Sequence, residues 1–462
     1  METKKTVDFT QGSIAKHLIV FSLPMFLGNL LQALYNTVDS IWVGRFLGPD
    51  ALAAVSVGFP IIFALIALVN GVTMATTILV SQYFGAQDHK QVTKTINNSM
   101  LLLTVLGLLA SIIGVAFRGP LLRLIRTPAE IMEQADAYLG IFMSGLIATF
   151  LYNVTSSILR GLGDSRTPLR YLAYATVMNI ILDPIFIFGL GPIPQMGVRG
   201  AALATILSQV VSAILSVRYL YVSSGLVRYQ RGTFRFDWQL TKLTFRLGLP
   251  AGIQQTFVSL GALVVSALVN TFGATVVAAF GAGARVDQFA FMPAMSISIA
   301  VSALVGQNIG AGKVQRVYET VRWSFILGAA ITLVFSLLSF FVPELFLRLF
   351  TDEPGVLEEG AKYLRYMSLG YVPLALMFTL GGVLRGAGDT LSTMLLTFLS
   401  LWVVRVPVAA YLSSLPQLGV AGVWIALALS PYMGFVLHYV VFRFGRWREK
   451  AVVKNQLQSN QG

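Results

Sequence analysis

The stretches "ILRGLGDS" (158–165) and "VLRGAGDT" (383–390) are one motif written twice, 225 residues apart. A second pair, "VSQYFGAQ" (80–87) and "VGQNIGAG" (305–312), keeps the same offset. "FSLPMFLGN" and "LGLPAGIQQ" align at Pro24 and Pro250 with nearly that spacing, and "MGVRGAALA" near Gly197 answers "LGVAGVWIA" near Gly419. The chain is therefore an internal duplication, and its fold must be read as two copies of one unit.

What kind of unit follows from composition. Of 462 residues, 56% are hydrophobic and 11% charged, with a mean hydropathy of +0.74. A soluble domain could not bury so much apolar surface. Twelve runs of about 20 apolar residues are long enough to span a bilayer, one of them near residue 148, and no stretch is left over for a soluble domain. The amino terminus, "METKKTVDFTQGSIAKH", is polar and shows no cleavable signal, so the first apolar run reads as a retained helix. Six spans per copy is an even number, so both copies enter the membrane the same way round, which predicts a pseudo-twofold axis along the membrane normal. The expected fold is an all-α membrane protein: 12 transmembrane helices in two pseudo-twofold-related six-helix bundles around a central cleft. Residues 1–222 are the expected amino-terminal bundle, 223–246 a basic cytoplasmic connector, and 247–462 the carboxyl-terminal bundle with a basic tail.

Charge sets the orientation. About 23 of the basic residues fall in the termini and alternate loops, the side that positive charge marks as cytoplasmic. The reading is a multi-pass protein of the cell (inner) membrane with both termini cytoplasmic. The net charge of +13 belongs to this topology and to attraction by anionic lipid, not to nucleic acid. The absence of cysteine excludes disulfides and thiolate metal or redox chemistry. The only histidines, His17, His89 and His438, lie near predicted span ends, so no catalytic constellation is expected and the chain does not read as an enzyme. A channel would need a repeated polar ring, which an asymmetric charge set does not supply.

The repeated turns have physical reasons. In "RGLGD" and "RGAGD" the glycines suit left-handed positions that end one helix, and Arg160 and Arg385 are placed to meet helix carbonyl ends. Asp164 and Asp389 are placed to cap the next helix. Gln82 and Gln307 read as structural.

A charge inside the bilayer costs at least about 2.5 to 3.5 kcal/mol, so those present are rare and usually functional. Away from span ends the sequence has Asp39, Asp183, Arg285, Asp287 and Arg405. Asp183, in "MNIILDPIFIF", has Asn179 one turn earlier on the same face. Pro184 cannot donate to the carbonyl of Ile180, which bends the helix at the acid. Pro24 is the matching bend expected in helix one. Asp39 follows Tyr35 and Asn36 on one face, and both acids lie beyond the membrane midplane, toward the outer leaflet. The repeat sets Asp39 opposite Val264 or Val265 and Asp183 opposite the Arg405 region, so the charges do not share the symmetry of the fold. Asp287 and Arg405 lie half way through their spans and are expected to form a buried ion pair.

Taken together, the twelve spans, the duplicated "GQ..GA" and "RG.GD" signatures and the acids of helices one and five resemble the multidrug and toxic compound extrusion (MATE) transporters over essentially the whole chain. The resemblance implies a secondary active antiporter that exports amphipathic or cationic organic compounds in exchange for inward H+ or Na+ by alternating access. It implies an ion-coupling site of Asp39, Asp183, Asn179, Tyr35 and Asn36, with Thr205 matching a threonine of helix six. Another branch carries a glutamate in helix seven. This chain has only Gln254 and Gln255 there, so a sodium site of that kind is not expected. Substrate-cleft residues are expected among Asn153, Tyr152, Gln254, Gln255, Asp287 and Met292. No cofactor is implied beyond the coupling ion, and no metal beyond Na+ at Asp39 and Asp183. The expected partners are small organic cations or amphipathic drugs and the lipid bilayer, and the protein is expected to be a monomer. The superfamily also holds lipid-linked oligosaccharide or lipid flippases, the alternative reading. A flippase needs a strongly basic cavity, and only Arg285 and Arg405 are available for one.

Overall fold

The computed structural model describes residues 7–223 and 236–453, and among these every regular element is helical. The first half contains α1 (Ile14–Phe46), α2 (Pro49–Val57), α3 (Phe59–Gly85), α4 (His89–Leu124), α5 (Ala129–Ser144), α6 (Leu146–Gly161), α7 (Arg166–Phe188) and α8 (Val198–Arg218). The second contains α9 (Trp238–Asn270), α10 (Ala274–Gly310), α11 (Val314–Phe341), α12 (Pro343–Leu347), α13 (Pro354–Gly386), α14 (Thr390–Phe398), α15 (Val406–Ser413) and α16 (Val420–Phe444). Wider π-helical turns extend α8 over Tyr219–Ser223 and join α14 to α15 over Leu399–Arg405.

In hydrocarbon a backbone must satisfy its polar groups internally, which is why long apolar runs fold as helices. Among the described residues eleven spans are long and apolar enough to cross a membrane, or twelve if α5 and α6 count as one. That pair bends by 45° at Gly145, so the span expected near residue 148 is built from two short helices. Glycine, a poor helix former, stands at the break.

The chain sorts into two compact units. One comprises Pro24–Phe84 and Asp88–Leu249; the other comprises Asp8–Leu23, Gly85–Gln87 and the chain from Pro250 onward. Where the repeat alone puts all of 1–222 in one bundle, the arm Asp8–Leu23 packs within the second unit. The physical reason is a set of polar contacts made by the "GQNIGAGK" turn (306–313) and by Arg316 at the start of α11. Gln307 Oε1 accepts from the Phe9 amide (3.0 Å), and Lys313 Nζ donates to the Thr10 carbonyl (2.9 Å). Arg316 Nη2 donates to the carbonyls of Phe9, Gln11 and Gly12 at 2.9, 3.2 and 3.0 Å. Phe9 is buried against Phe21 and His17. Gln307 is thus a structural clamp.

The first unit holds the start of α9 in a comparable way. Asn98 Oδ1 accepts from the Asp237 amide (2.8 Å), Asn98 Nδ2 donates to Thr241 Oγ1 (3.1 Å), and Lys94 pairs with the Asp237 carboxylate. Both α1 and α9 change unit at a proline inside the helix, Pro24 and Pro250. Of the basic connector expected at 223–246, residues 224–235 lie outside the described residues, and from Trp238 the chain is already α9.

The two "RG.GD" turns are built alike, with one change from expectation. Only the second glycine of each, Gly163 (φ 86°) and Gly388 (φ 91°), is left-handed. The first is bare because a neighbouring helix touches it. A Cβ on Gly161 would lie 3.0 Å from Val80 Cβ, and one on Gly386 only 2.5 Å from the Ser302 carbonyl oxygen. Asp164 Oδ1 accepts from the amides of Arg166 and Thr167, both at 3.0 Å, and Asp389 Oδ2 accepts from Ser392 Oγ at 2.8 Å. Arg385 does not reach a helix end: its Nη2 donates to Ser298 Oγ at 2.7 Å.

Candidate functional site

In the first unit the carboxylates of α1 and α7 come together. Asp183 and Asn179 are wholly buried one turn apart on α7, and Asn179 Nδ2 donates to Asp183 Oδ1 at 3.0 Å. The Asp39 carboxylate, half-buried on α1, is the charged neighbour of Asp183. Tyr35 lies one turn before Asp39, buried, with Thr205 of α8 beside it and both acids within electrostatic reach. Five oxygens of this cluster are buried without a protein hydrogen-bond partner: Tyr35 Oη, Asp39 Oδ1, Asn179 Oδ1, Asp183 Oδ2 and Thr205 Oγ1. Buried polar atoms are almost always satisfied, so this concentration of oxygens without a protein partner sets the cluster apart from the rest of the unit.

Two positions differ from expectation. Asn36 is exposed and takes its contact from Gln32 Nε2 at 3.4 Å, because the step from residue 35 to 36 rotates the side chain about 100° around the helix. Tyr138 of α5, which the sequence did not single out, is buried with Asp39, Tyr35 and Asp183 as its electrostatic neighbours. Its only sequence signal is a phenol on an otherwise apolar buried stripe with Ile131, Ala135 and Leu139. Pro24 and Pro184 lie inside continuous α1 and α7, and Pro184 directly follows the acid.

A pocket of about 500 Å³ lies in the same unit, lined by Leu47, Ala51, Glu133, Gln134, Ala137 and the 195–199 segment. Those residues lie just beyond the ends of α1 and α7, on α5 next to Tyr138, and at the start of α8. At about 1.5 Å per residue, Val198 is about 10 Å from Thr205 along α8 and Leu47 about 12 Å from Asp39. Helix α8 therefore carries residues of both the pocket and the oxygen cluster.

The other predicted residues make contacts within their own units. Tyr152 Oη donates to the Pro168 carbonyl (3.1 Å) and Asn153 Nδ2 to the Thr149 carbonyl (2.8 Å), so both are spent on nearby backbone. Gln254 Nε2 donates to Thr397 Oγ1 at 2.7 Å, and Gln255 and Met292 are half-buried. The expected ion pair of Asp287 and Arg405 is absent. Asp287 takes hydroxyl donors from Tyr363 and Tyr371 (2.6 Å to the latter), two turns apart on α13, which satisfies both its oxygens. Arg405 Nε donates instead to Ser430 Oγ at 2.6 Å. Arg285 lies over the Phe350 ring, 5.7 Å from its centroid. No group of three or more His, Cys, Asp or Glu comes together among the described residues.

Comparison with known proteins agrees with this architecture. The MatE family model matches residues 24–185 and 250–412, one match in each half of the duplication. The chain is 35% identical over 448 residues to the probable multidrug resistance protein YpnP of Bacillus subtilis, covering 96% of this chain and 98% of that one. It is 31% identical to the probable multidrug resistance protein NorM of Thermotoga maritima, covering 96% and 95% of the two chains. Among solved structures it is similar to a MATE transporter in its bent conformation, with a TM-score of 0.88 and 27% identity over 100% of both chains. With both halves matched and full-length relatives above 30% identity, the chain belongs to the MatE family of multidrug efflux transporters.

Proposed function

We propose that this protein is a secondary active antiporter that exports amphipathic or cationic organic compounds in exchange for inward H+ or Na+. The observation that carries the reading is the pair Asp39 and Asp183, each with one buried oxygen free of protein hydrogen bonds, beside three such oxygens of Tyr35, Asn179 and Thr205. Two carboxylates kept close in a poorly solvated place repel each other, and a proton or a sodium ion between them relieves that repulsion. Hydroxyl, amide and carboxylate oxygens are the ligands a hard cation takes. Asn179 orients Asp183 through its amide hydrogen bond, and Tyr35 and Thr205 supply neutral oxygens.

The ion enters through the pocket beside Tyr138, from outside, on the orientation with both termini in the cytoplasm. One charge moving inward gains about 2.3 kcal/mol per 100 mV, enough to bias the protein between outward- and inward-facing states. Loading the pair disfavours the substrate-binding state, and release to the cytoplasm restores it, which is alternating access by exchange. Proteoliposomes loaded with a fluorescent cation and given first a pH gradient, then a sodium gradient, test the scheme. Efflux should follow one of the two gradients and stop in Asp39→Asn. Equal efflux with and without gradients would remove the antiport reading.

A further inference from the structure

The least accounted-for group in the second unit is the Arg405 guanidinium. It closes the π-helical turn Leu399–Arg405, and Pro407, two residues on, has no N–H to continue the regular ladder. Local widening of this kind recurs at functional sites. Residues 401, 405 and 409 share one face of the span, and Leu401 and Ala409 are buried, whereas Val403 and Pro407 on the opposite face are exposed. Arg405 therefore points inward, toward Ser430 of α16 and beside the phenol of Tyr363.

An inward guanidinium carries five N–H donors. One of them, Nε, is given to Ser430, and no other hydrogen bond or ion pair engages the group among the described residues. The nearest acid by sequence logic, Asp287, has both oxygens taken by Tyr363 and Tyr371. Arg405 itself is not fully buried. A second orphan donor lies nearby: Trp424 Nε1 is buried without a partner, and its ring packs on Tyr363 with centroids 4.8 Å apart. An intramembrane cation without an acid is costly unless a partner arrives.

We propose that Arg405 is the recognition site for an anionic group, a carboxylate or phosphate, on an amphipathic substrate. The planar fork of arginine suits such a group in a two-bonded arrangement. Zwitterionic compounds would thus be bound through their acid. The inference rests on the efflux reading for its context but concerns binding, which can be measured without transport.

The test uses a matched pair of dyes, tetramethylrhodamine with its free carboxylate and its methyl ester, differing only in the acid. Fluorescence anisotropy with the purified full-length protein gives each Kd, and proteoliposome efflux gives each KM. Arg405→Gln should weaken the free acid about tenfold, the scale of a charge-assisted hydrogen-bond pair, and change the ester less than about twofold. Arg405→Lys should recover part of the difference. Ser430→Ala, which only loosens the anchor, should shift the acid in the same direction by a smaller factor, and it serves if the arginine variants fail to fold. Equal shifts for acid and ester, or none for either, would overturn the proposal. So would an acid-specific effect that is present in phosphatidylcholine vesicles but abolished when anionic lipid is added, since the guanidinium would then be serving a lipid headgroup. If binding shows the acid-specific shift while no gradient drives efflux, the antiport reading fails and this site stands.

Discussion

Asn179 and Asp183 show how much a single amide contributes to the cluster. The 3.0 Å bond fixes the rotamer of Asp183 and leaves its second oxygen free for a ligand. Asn179→Ala removes the donor from a buried acceptor, a loss of about 1 to 3 kcal/mol. It should lower the apparent affinity for the coupling ion, read as a higher half-saturating ion concentration, and leave maximal efflux less affected. Asp183→Asn should behave like Asp39→Asn and abolish gradient-driven efflux, measured in proteoliposomes, with the melting temperature retained. Tyr138→Phe separates two roles for the phenol. If the hydroxyl contributes to the oxygen set, ion affinity falls while thermal stability is nearly unchanged, because the ring and its packing remain. The sequence brought Asp39, Tyr35, Asn179 and Asp183 forward because charge and amide are conspicuous in an apolar run. It could not separate Asn36 from Tyr35, since neighbouring positions differ only in which way the helix is turned.

At the level of elements, the same turn carries different loads in the two halves. A methyl on Gly386 meets a backbone carbonyl at 2.5 Å, whereas on Gly161 it meets the Val80 side chain and the Thr77 carbonyl at 3.0 and 3.1 Å. Gly386→Ala should therefore lower the melting temperature more than Gly161→Ala. The start of α9 adds a pH-dependent contact. Burial alone would raise the Asp237 carboxyl, but the Lys94 ammonium and the Leu240 amide (2.9 Å) outweigh it and hold the group below its ordinary range. A carboxyl depressed in the folded state contributes stability above its unfolded value of about 3.9 and loses it as pH falls through the folded one. Asp237→Asn should thus lower the melting temperature at pH 7, and the gap to the unmodified protein should close as the medium is acidified past the ordinary carboxyl range and the folded-state carboxyl takes up its proton. A gap that persists in acid would assign the effect to the Asn98 contacts instead. The arm at the other end of the chain relies on Gln307, Lys313 and Arg316, and Arg316→Gln, which removes donors to three carbonyls, should speed amide exchange at residues 9–12.

For the whole molecule, one cation exchanged for a monocationic substrate moves no net charge, whereas exchange for a zwitterion moves one. An imposed membrane potential should then leave efflux of the rhodamine ester unchanged and accelerate that of the free acid, and the reverse dependence would require a different stoichiometry. Such accounting needs both halves, and the halves are legible in the sequence alone. The 225-residue offset, the apolar runs and the "RG.GD" turns depend on local chemistry, namely helix formation in lipid, glycine at turns and carboxylate caps, and these are properties of neighbouring residues. The sequence by itself determined the membrane class, the duplication and most of the acidic cluster, because a charge in an apolar span is visible at any position. Only the tertiary structure decided that Asp8–Leu23 packs with the second unit, that Tyr138 joins the acids, and that Asp287 turns to two tyrosines and leaves Arg405 to Ser430. Those outcomes depend on which side chains from distant helices compete for the same buried atom, and spacing along one chain carries no record of that competition.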